Sequence, residues 1–123
     1  MAKKVLVVDN EKNILDMMSK FLSREGFEVL TATNGINAID LAKKSAPDLI
    51  ILDVMMPGMD GGDIAANLLE NEKTSYIPVI FLTGAISEEE AMKQSSKFPN
   101  RTYISKAGDI RKLMKIVRQI LDS

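Results

Sequence analysis

Short runs of apolar residues alternate along the chain with longer stretches in which apolar residues recur every three or four positions. Three runs are apolar throughout and too short for a helix: residues 5–8 (VLVV), 49–52 (LIIL) and 79–82 (VIFL). This pattern is typical of strands in a parallel sheet that helices cover on both faces. Two weaker strand candidates are residues 27–31 and 102–104.

Helical periodicity fills the intervals between these strands. Apolar residues repeat at helical spacing in four stretches: residues 14–22, 36–42, 64–69 and 110–121. A capping box, SEEE at residues 87–90, predicts one further, polar helix. Gly26 is expected to end the first helix, and Asp109 to cap the last one. Five consecutive β-α units predict an α/β fold, a doubly wound parallel sheet with helices on both faces.

The composition is that of an ordinary globular chain, with 46% hydrophobic and 27% charged residues. Sixteen basic residues against 17 acidic ones give a net charge of −1, which argues against binding nucleic acid or membranes by bulk electrostatics. No apolar run approaches the roughly 18 residues that a membrane span needs. Cysteine and histidine are both absent, which excludes disulfides, thiolate or imidazole metal sites and a phosphohistidine within this chain. We therefore expect a cytoplasmic protein.

Polar side chains stand at the ends of four of the five predicted strands: Asp9, Asp53, Thr83 and Lys106. Taken singly, each has an ordinary structural explanation, such as a helix cap, a turn, a strand end or a solvated amine. Together they converge on the edge of an open α/β sheet where ligands bind. Carboxylates, a hydroxyl and an ammonium group suit phosphoryl transfer, in which one carboxylate is the nucleophile and another helps to hold Mg²⁺. Neither a P-loop nor a dinucleotide-binding glycine motif is present.

Four segments carry a resemblance to a known family: VLVVDNE (5–11), LDVMMPGMDG (52–61), PVIFLT (78–83) and YISK (103–106). With these motifs the chain resembles the receiver domain of bacterial response regulators, and the likeness extends over essentially all of residues 1–123. It implies a flavodoxin-like sandwich with strand order 2-1-3-4-5, in a single domain without an output domain. It also implies a phosphorylation switch of a two-component system, which is not an enzyme beyond assisting its own phosphoryl transfer and slow autodephosphorylation.

The resemblance further implies a role for each matching residue. Asp53 corresponds to the phosphoacceptor, Thr83 to the switch hydroxyl, Lys106 to the paired cation and Tyr103 to the aromatic whose orientation reports switching. The implied ligands of Mg²⁺ are Asp9, Asn10, Asp53 and the backbone carbonyl of Met55.

The implied partners are a phosphoryl donor and a downstream protein target. Because the chain has no histidine, the phosphoryl group must come from a histidine kinase, a histidine phosphotransfer protein or a small phosphodonor. The expected partners include neither nucleic acid nor membrane, and we expect a monomer or a weak dimer.

The sequence departs from the family pattern at three places. Asn10 stands where a second carboxylate is usual, which predicts weaker Mg²⁺ binding because an amide lacks the negative charge. Ala107, rather than proline, follows Lys106, and since a cis non-proline bond costs about 2.5–4 kcal/mol we expect this bond to be trans. Met55 and Ala85 lie two residues beyond Asp53 and Thr83 and cannot orient a water, which predicts a long-lived phosphoryl group.

Two other functions compete with the phosphorylation switch. Asn10 and the missing proline favour a receiver-derived binding module that signals without phosphorylation, whereas Asp53, Thr83 and Lys106 oppose it. A flavin or mononucleotide binder has support from the expected fold alone.

Overall fold

The computed structural model describes residues 2–54, 61–83, 101–105 and 110–122, with the backbone only at positions 83, 101 and 105. Several sequence-based expectations therefore lie outside the described residues. These are the polar helix that begins at the 87–90 capping box, the cap at Asp109, the Lys106–Ala107 bond, and the effects of Met55 and Ala85.

Five parallel strands form one sheet in the order β2-β1-β3-β4-β5, which confirms the parallel sheet predicted from the sequence and the strand order that the resemblance implied. The strands are β1 (Lys4–Val8), β2 (Glu28–Ala32), β3 (Leu49–Asp53), β4 (Val79–Thr83) and β5 (Arg101–Ser105). β1, β3 and β4 occupy the centre, and these are the three strands that the sequence marks as solid apolar runs. Every residue of β3 is buried, as expected for a strand covered on both faces.

The described residues include four helices: α1 (Lys12–Arg24), α2 (Gly35–Ser45), α3 (Gly61–Glu70) and α4 (Ile110–Leu121). The side chains of each strand alternate between the two faces of the sheet. Both faces therefore carry apolar side chains, and two of these helices cover each face. One core contains Val5, Val7, Leu49, Ile51, Ile80 and Leu82 together with the apolar sides of α1 and α4. The other contains Leu6, Val8, Ile50, Leu52, Val79 and Phe81 together with α2 and α3. This two-sided arrangement confirms the doubly wound fold.

Two helix ends show how local chemistry sets the element boundaries. After α1 the chain reverses at Gly26, whose φ of +92° is readily adopted only by a residue without a side chain, and the Phe27 N–H then donates to the Leu22 carbonyl at 3.1 Å. This confirms Gly26 as the predicted stop. At the start of α2, the side chain of Asn34 accepts a hydrogen bond from the Asn37 N–H at 2.9 Å.

Arg118 connects the last helix to the turn that follows the first. Its guanidinium forms a salt bridge and hydrogen bond with the Glu25 carboxylate and lies 5.5 Å from the centroid of the Phe27 ring. The hydrogen bond from Arg118 to Glu25, and then the charge of that carboxylate, raise the pKa of Arg118 above its ordinary value. Because the contact is exposed, it adds little to stability.

In the described part of the chain, no helix combines the length and the apolar character that crossing a membrane requires.

Leu22 tests how strongly the core between α1 and the sheet supports the fold. The side chain is fully buried among α1, α4 and the central strands, so Leu22→Ala leaves a cavity and is expected to lower the free energy of unfolding by about 2–5 kcal/mol. Urea denaturation measures this loss. The control is Ser23→Ala at the neighbouring exposed position, for which a change within about 0.5 kcal/mol is expected. Equal effects of the two substitutions would contradict the assignment of this core.

Candidate functional site

Two carboxylates lie side by side at the carboxyl ends of the central strands. Val8 of β1 pairs with Leu52 of β3, so the next residues along these parallel strands, Asp9 and Asp53, are neighbours across a strand spacing of about 4.8 Å. Both are buried, with exposed fractions of 1% for Asp9 and 3% for Asp53. The fold therefore brings these two predicted site residues together.

Two carboxylates placed in this way favour a cation between them. Their negative charges repel each other, and burial removes the water that would otherwise screen that repulsion. Carboxylate oxygens are the ligands that Mg²⁺ prefers, so Asp9 and Asp53 fit the predicted magnesium site. Within the described ranges, no group of three or more acidic, histidine or cysteine side chains is placed to hold a metal.

Asp9 also has a local structural role. Its Oδ1 atom accepts a hydrogen bond from the Glu11 backbone N–H at 2.9 Å, at the point where the chain enters α1. The sequence left open whether Asp9 caps the first helix or binds metal; the N-cap residue of α1 is Glu11, and no side chain caps this helix, so the Asp9 hydrogen bond belongs to the turn that precedes it. A carboxylate has acceptor sites for several partners, so this hydrogen bond is compatible with a metal-binding role and fixes the orientation of the group. Asn10, the next residue, is exposed.

Gly61 determines how the chain returns to the site after Asp53. Its N–H donates to the Val54 carbonyl at 3.2 Å, which brings the start of α3 against the end of β3. A Cβ atom at position 61 would lie 2.9 Å from the Asp53 carbonyl oxygen and 3.0 Å from the Val54 Cα. The absence of a side chain is therefore what allows this close approach. In the sequence, Gly61 was only the last residue of the motif at residues 52–61. The need for a glycine there becomes apparent from the fold, which brings position 61 against the backbone of Asp53.

Thr83 lies at the end of the strand beside Asp53. Asp53 pairs with Leu82, and Thr83, the next residue of β4, pairs with Ser105 of β5. The backbone thus places position 83 at the same sheet edge as the two carboxylates. Lys106 directly follows Ser105 and, like Met55, is outside the described residues.

Tyr103 lies on β5, opposite Phe81 on β4. The two rings stack with centroids 4.7 Å apart and an angle of 16° between their planes. The Tyr103 side chain is half-buried and packs against the α2/α3 core. Sequence reasoning identified Tyr103 as a site residue, but it treated Phe81 only as part of a strand. The signal for Phe81 was an aromatic residue in a predicted buried strand, two positions before Thr83.

The fold and the paired carboxylates define the class of protein: a doubly wound α/β domain with an acidic site at the carboxyl edge of its sheet. The chain matches the family model described as response regulator receiver domain over residues 5–118. It therefore belongs to the response regulator receiver domain family. Receiver domains are signalling modules of two-component systems, and they generally bind Mg²⁺ at the phosphorylation site and interact with histidine kinases and downstream targets.

Solved structures of similar proteins agree with this family. The chemotaxis protein CheY4 of Vibrio cholerae is 29% identical, with a TM-score of 0.83 and coverage of 98% of this chain and 99% of that one. A response regulator from Desulfuromonas acetoxidans is also 29% identical, with a TM-score of 0.82 and coverage of 98% and 97%. The N-terminal domain of a response regulator receiver protein from Methanoculleus marisnigri is 30% identical, with a TM-score of 0.71 and coverage of 98% and 97%.

The close approach at Gly61 yields a direct test of how the site is supported. Gly61→Ala places a methyl group against the Asp53 backbone and is expected to lower the free energy of unfolding by about 1–3 kcal/mol, since the neighbouring atoms are backbone and yield little. The backbone amide signals of Asp53 and Val54 in NMR spectra should move as well. Gly62→Ala, at the adjacent exposed helical position, is the matched control and should leave stability unchanged or slightly higher. A Gly61→Ala protein as stable as this control would contradict the packing described.

Proposed function

We propose that this chain is a phosphoacceptor switch in which Asp53 receives a phosphoryl group from a histidine kinase or a histidine phosphotransfer protein. The observation that carries the proposal is the buried pair Asp9 and Asp53 at the carboxyl ends of two adjacent central strands. Family membership supports the same role, because the pair coincides with the motif segments that resemble receiver domains.

In the proposed reaction a carboxylate oxygen of Asp53 attacks the phosphorus atom of a phosphohistidine. An O–P bond forms and the N–P bond breaks, so that Asp53 becomes an acyl phosphate and the imidazole leaves with the electron pair of the broken bond. Burial of Asp53 limits competing attack by water and strengthens electrostatic interactions within the site. Since residues 1–123 contain no histidine, the proposed phosphohistidine donor lies outside this sequence, or the donor is a small phosphate compound.

Mg²⁺ is the proposed cofactor, with Asp9 and Asp53 as its charged ligands. Asn10 through its amide oxygen and Met55 through its backbone carbonyl complete the proposed set. When bound, the ion would neutralise negative charge on the phosphoryl oxygens. The contribution of this chain is to fix the ligands, and the Asp9 carboxylate is oriented in advance by the Glu11 N–H.

Thr83, Lys106 and Tyr103 are the proposed response elements. A hydroxyl at position 83 can donate a hydrogen bond to the phosphoryl group, and the Lys106 ammonium can pair with its negative charge. Movement of these groups would then change the surface near Tyr103. Phosphorylation thereby favours one of two existing conformations, and the output is contact with a downstream protein. The proposed setting is the cytoplasm, with the protein as a monomer or a weak dimer.

A second candidate function is a binding module that signals without phosphorylation. The observation in its favour is Asn10, an exposed amide beside a pair of carboxylates. The two candidates differ in whether Asp53 is modified.

Phosphorylation of wild type and Asp53→Asn separates the two candidates. After incubation with acetyl phosphate or a phosphorylated histidine kinase and Mg²⁺, intact-mass spectrometry should detect one added phosphoryl group on the wild type. It should detect none on Asp53→Asn, because an amide oxygen is a poor nucleophile.

The matched control is Asp40→Asn, which changes an exposed aspartate that pairs with Lys44 on α2, with 3.1 Å between the charged atoms. This variant should be modified like the wild type. Modification retained in Asp53→Asn would contradict the assignment of the acceptor, and no modification of the wild type would favour the binding module.

The third ligand position can be tested through Mg²⁺ affinity. Asn10→Asp adds a carboxylate beside the proposed ion. Because position 10 is exposed, water weakens the attraction between this carboxylate and Mg²⁺. We expect binding about tenfold tighter by isothermal titration calorimetry. Asn67→Asp, an equal change of charge on α3, should leave the affinity unchanged. Equal affinity of Asn10→Asp and the wild type would show that position 10 does not contact the ion.

A further inference from the structure

A row of side chains crosses the sheet directly below the two carboxylates. Val8, Leu52, Phe81 and Tyr103 occupy matching positions on β1, β3, β4 and β5. All four belong to the α2/α3 core or pack against it. Val8 precedes Asp9 and Leu52 precedes Asp53, so this row connects the acidic site to the edge of the sheet.

The last two members of the row differ in how firmly they are held. Phe81 is 2% exposed and lies on a strand that has neighbours on both sides. Tyr103 is half-buried and lies on β5, which is the edge strand of the sheet. Phe81 is thus the more enclosed of the two rings, and Tyr103 is the more exposed one, so a change of χ1 rotamer towards solvent is sterically easier at Tyr103.

The stacked geometry indicates that the packed rotamer of Tyr103 depends on the Phe81 ring. A centroid distance of 4.7 Å and an angle of 16° are those of an offset stack, in which two flat faces share contact. Cross-strand aromatic pairs stabilise each other beyond the area that they bury. An aliphatic side chain at position 81 would fill the core but would not present a flat face to Tyr103.

We propose that Phe81 is a positioning residue that holds Tyr103 in its packed orientation. Phe81 thereby sets the fraction of molecules in which Tyr103 is packed rather than turned towards solvent. The role of this fraction in signalling rests on the proposed phosphorylation switch. A modification at Asp53 can shift this fraction only by as much as it favours one orientation of Tyr103 over the other, starting from the preference that Phe81 creates. Phe81 therefore sets the starting point from which Tyr103 responds to events at Asp53.

The test compares Phe81→Leu with the wild type, both labelled with 3-fluorotyrosine. The chain has two tyrosines, and Tyr76→Phe assigns their ¹⁹F signals. Broadening of the Tyr103 signal by a soluble gadolinium chelate reports its exposure. We expect the ratio of turned-out to packed Tyr103 to rise about fivefold in Phe81→Leu of the unphosphorylated protein. Phe81→Ile, with a β-branched side chain suited to strands, is a second variant in case the first does not fold.

Val79→Ala is the matched control, because Val79 lies on the same face of β4 and its truncation loosens the same core without removing a ring. It should leave the Tyr103 signal as shielded as in the wild type. Equal shielding in Phe81→Leu and the wild type, or equal exposure in Phe81→Leu and Val79→Ala, would overturn the inference. Phosphorylation is measured separately by mass. A wild type that accepts no phosphoryl group would refute the proposed function, while the exposure of Tyr103 would still decide whether Phe81 positions it.

Discussion

Burial of the central strands on both faces is the constraint on which the sheet and its site depend. The apolar runs of β1 and β3, residues 5–8 and 49–52, are each followed directly by a carboxylate, Asp9 or Asp53. A shift of one residue in the pairing of these strands would separate Asp9 from Asp53 and exchange the two faces of the displaced strand. The register that buries the apolar residues on both faces is thus also the one that places the two carboxylates side by side.

The sheet is held most firmly at its centre and less firmly at β5. Leu52 and Phe81 are buried, whereas Tyr103 at the edge is only half-buried. The acidic pair therefore lies where the sheet is most enclosed, and the edge strand β5 is more accessible. Such a gradient in packing suits a protein that carries a change at one site to a partner at another.

Sequence reasoning recovered the elements whose pattern is local and missed the contacts that depend on cross-strand register. The solid apolar runs gave the central strands, and Gly26 gave the end of α1. The edge strand β2 was displaced by one residue, to 27–31 in place of Glu28–Ala32, because its pairing with β1 sets its limits. The stack on Phe81 and the close approach of Gly61 to Asp53 become visible only after distant segments meet.

The central claim is that Asp9 and Asp53 form one site, and a double-mutant cycle on Mg²⁺-induced stabilisation tests it most directly. The rise in Tm on adding Mg²⁺ is measured for the wild type, Asp9→Asn, Asp53→Asn and the double variant. If the two carboxylates hold one ion, each single substitution should remove most of the rise, and the double variant should lose little more. Single variants that each keep about half of the rise, with losses that add in the double variant, would contradict a shared site.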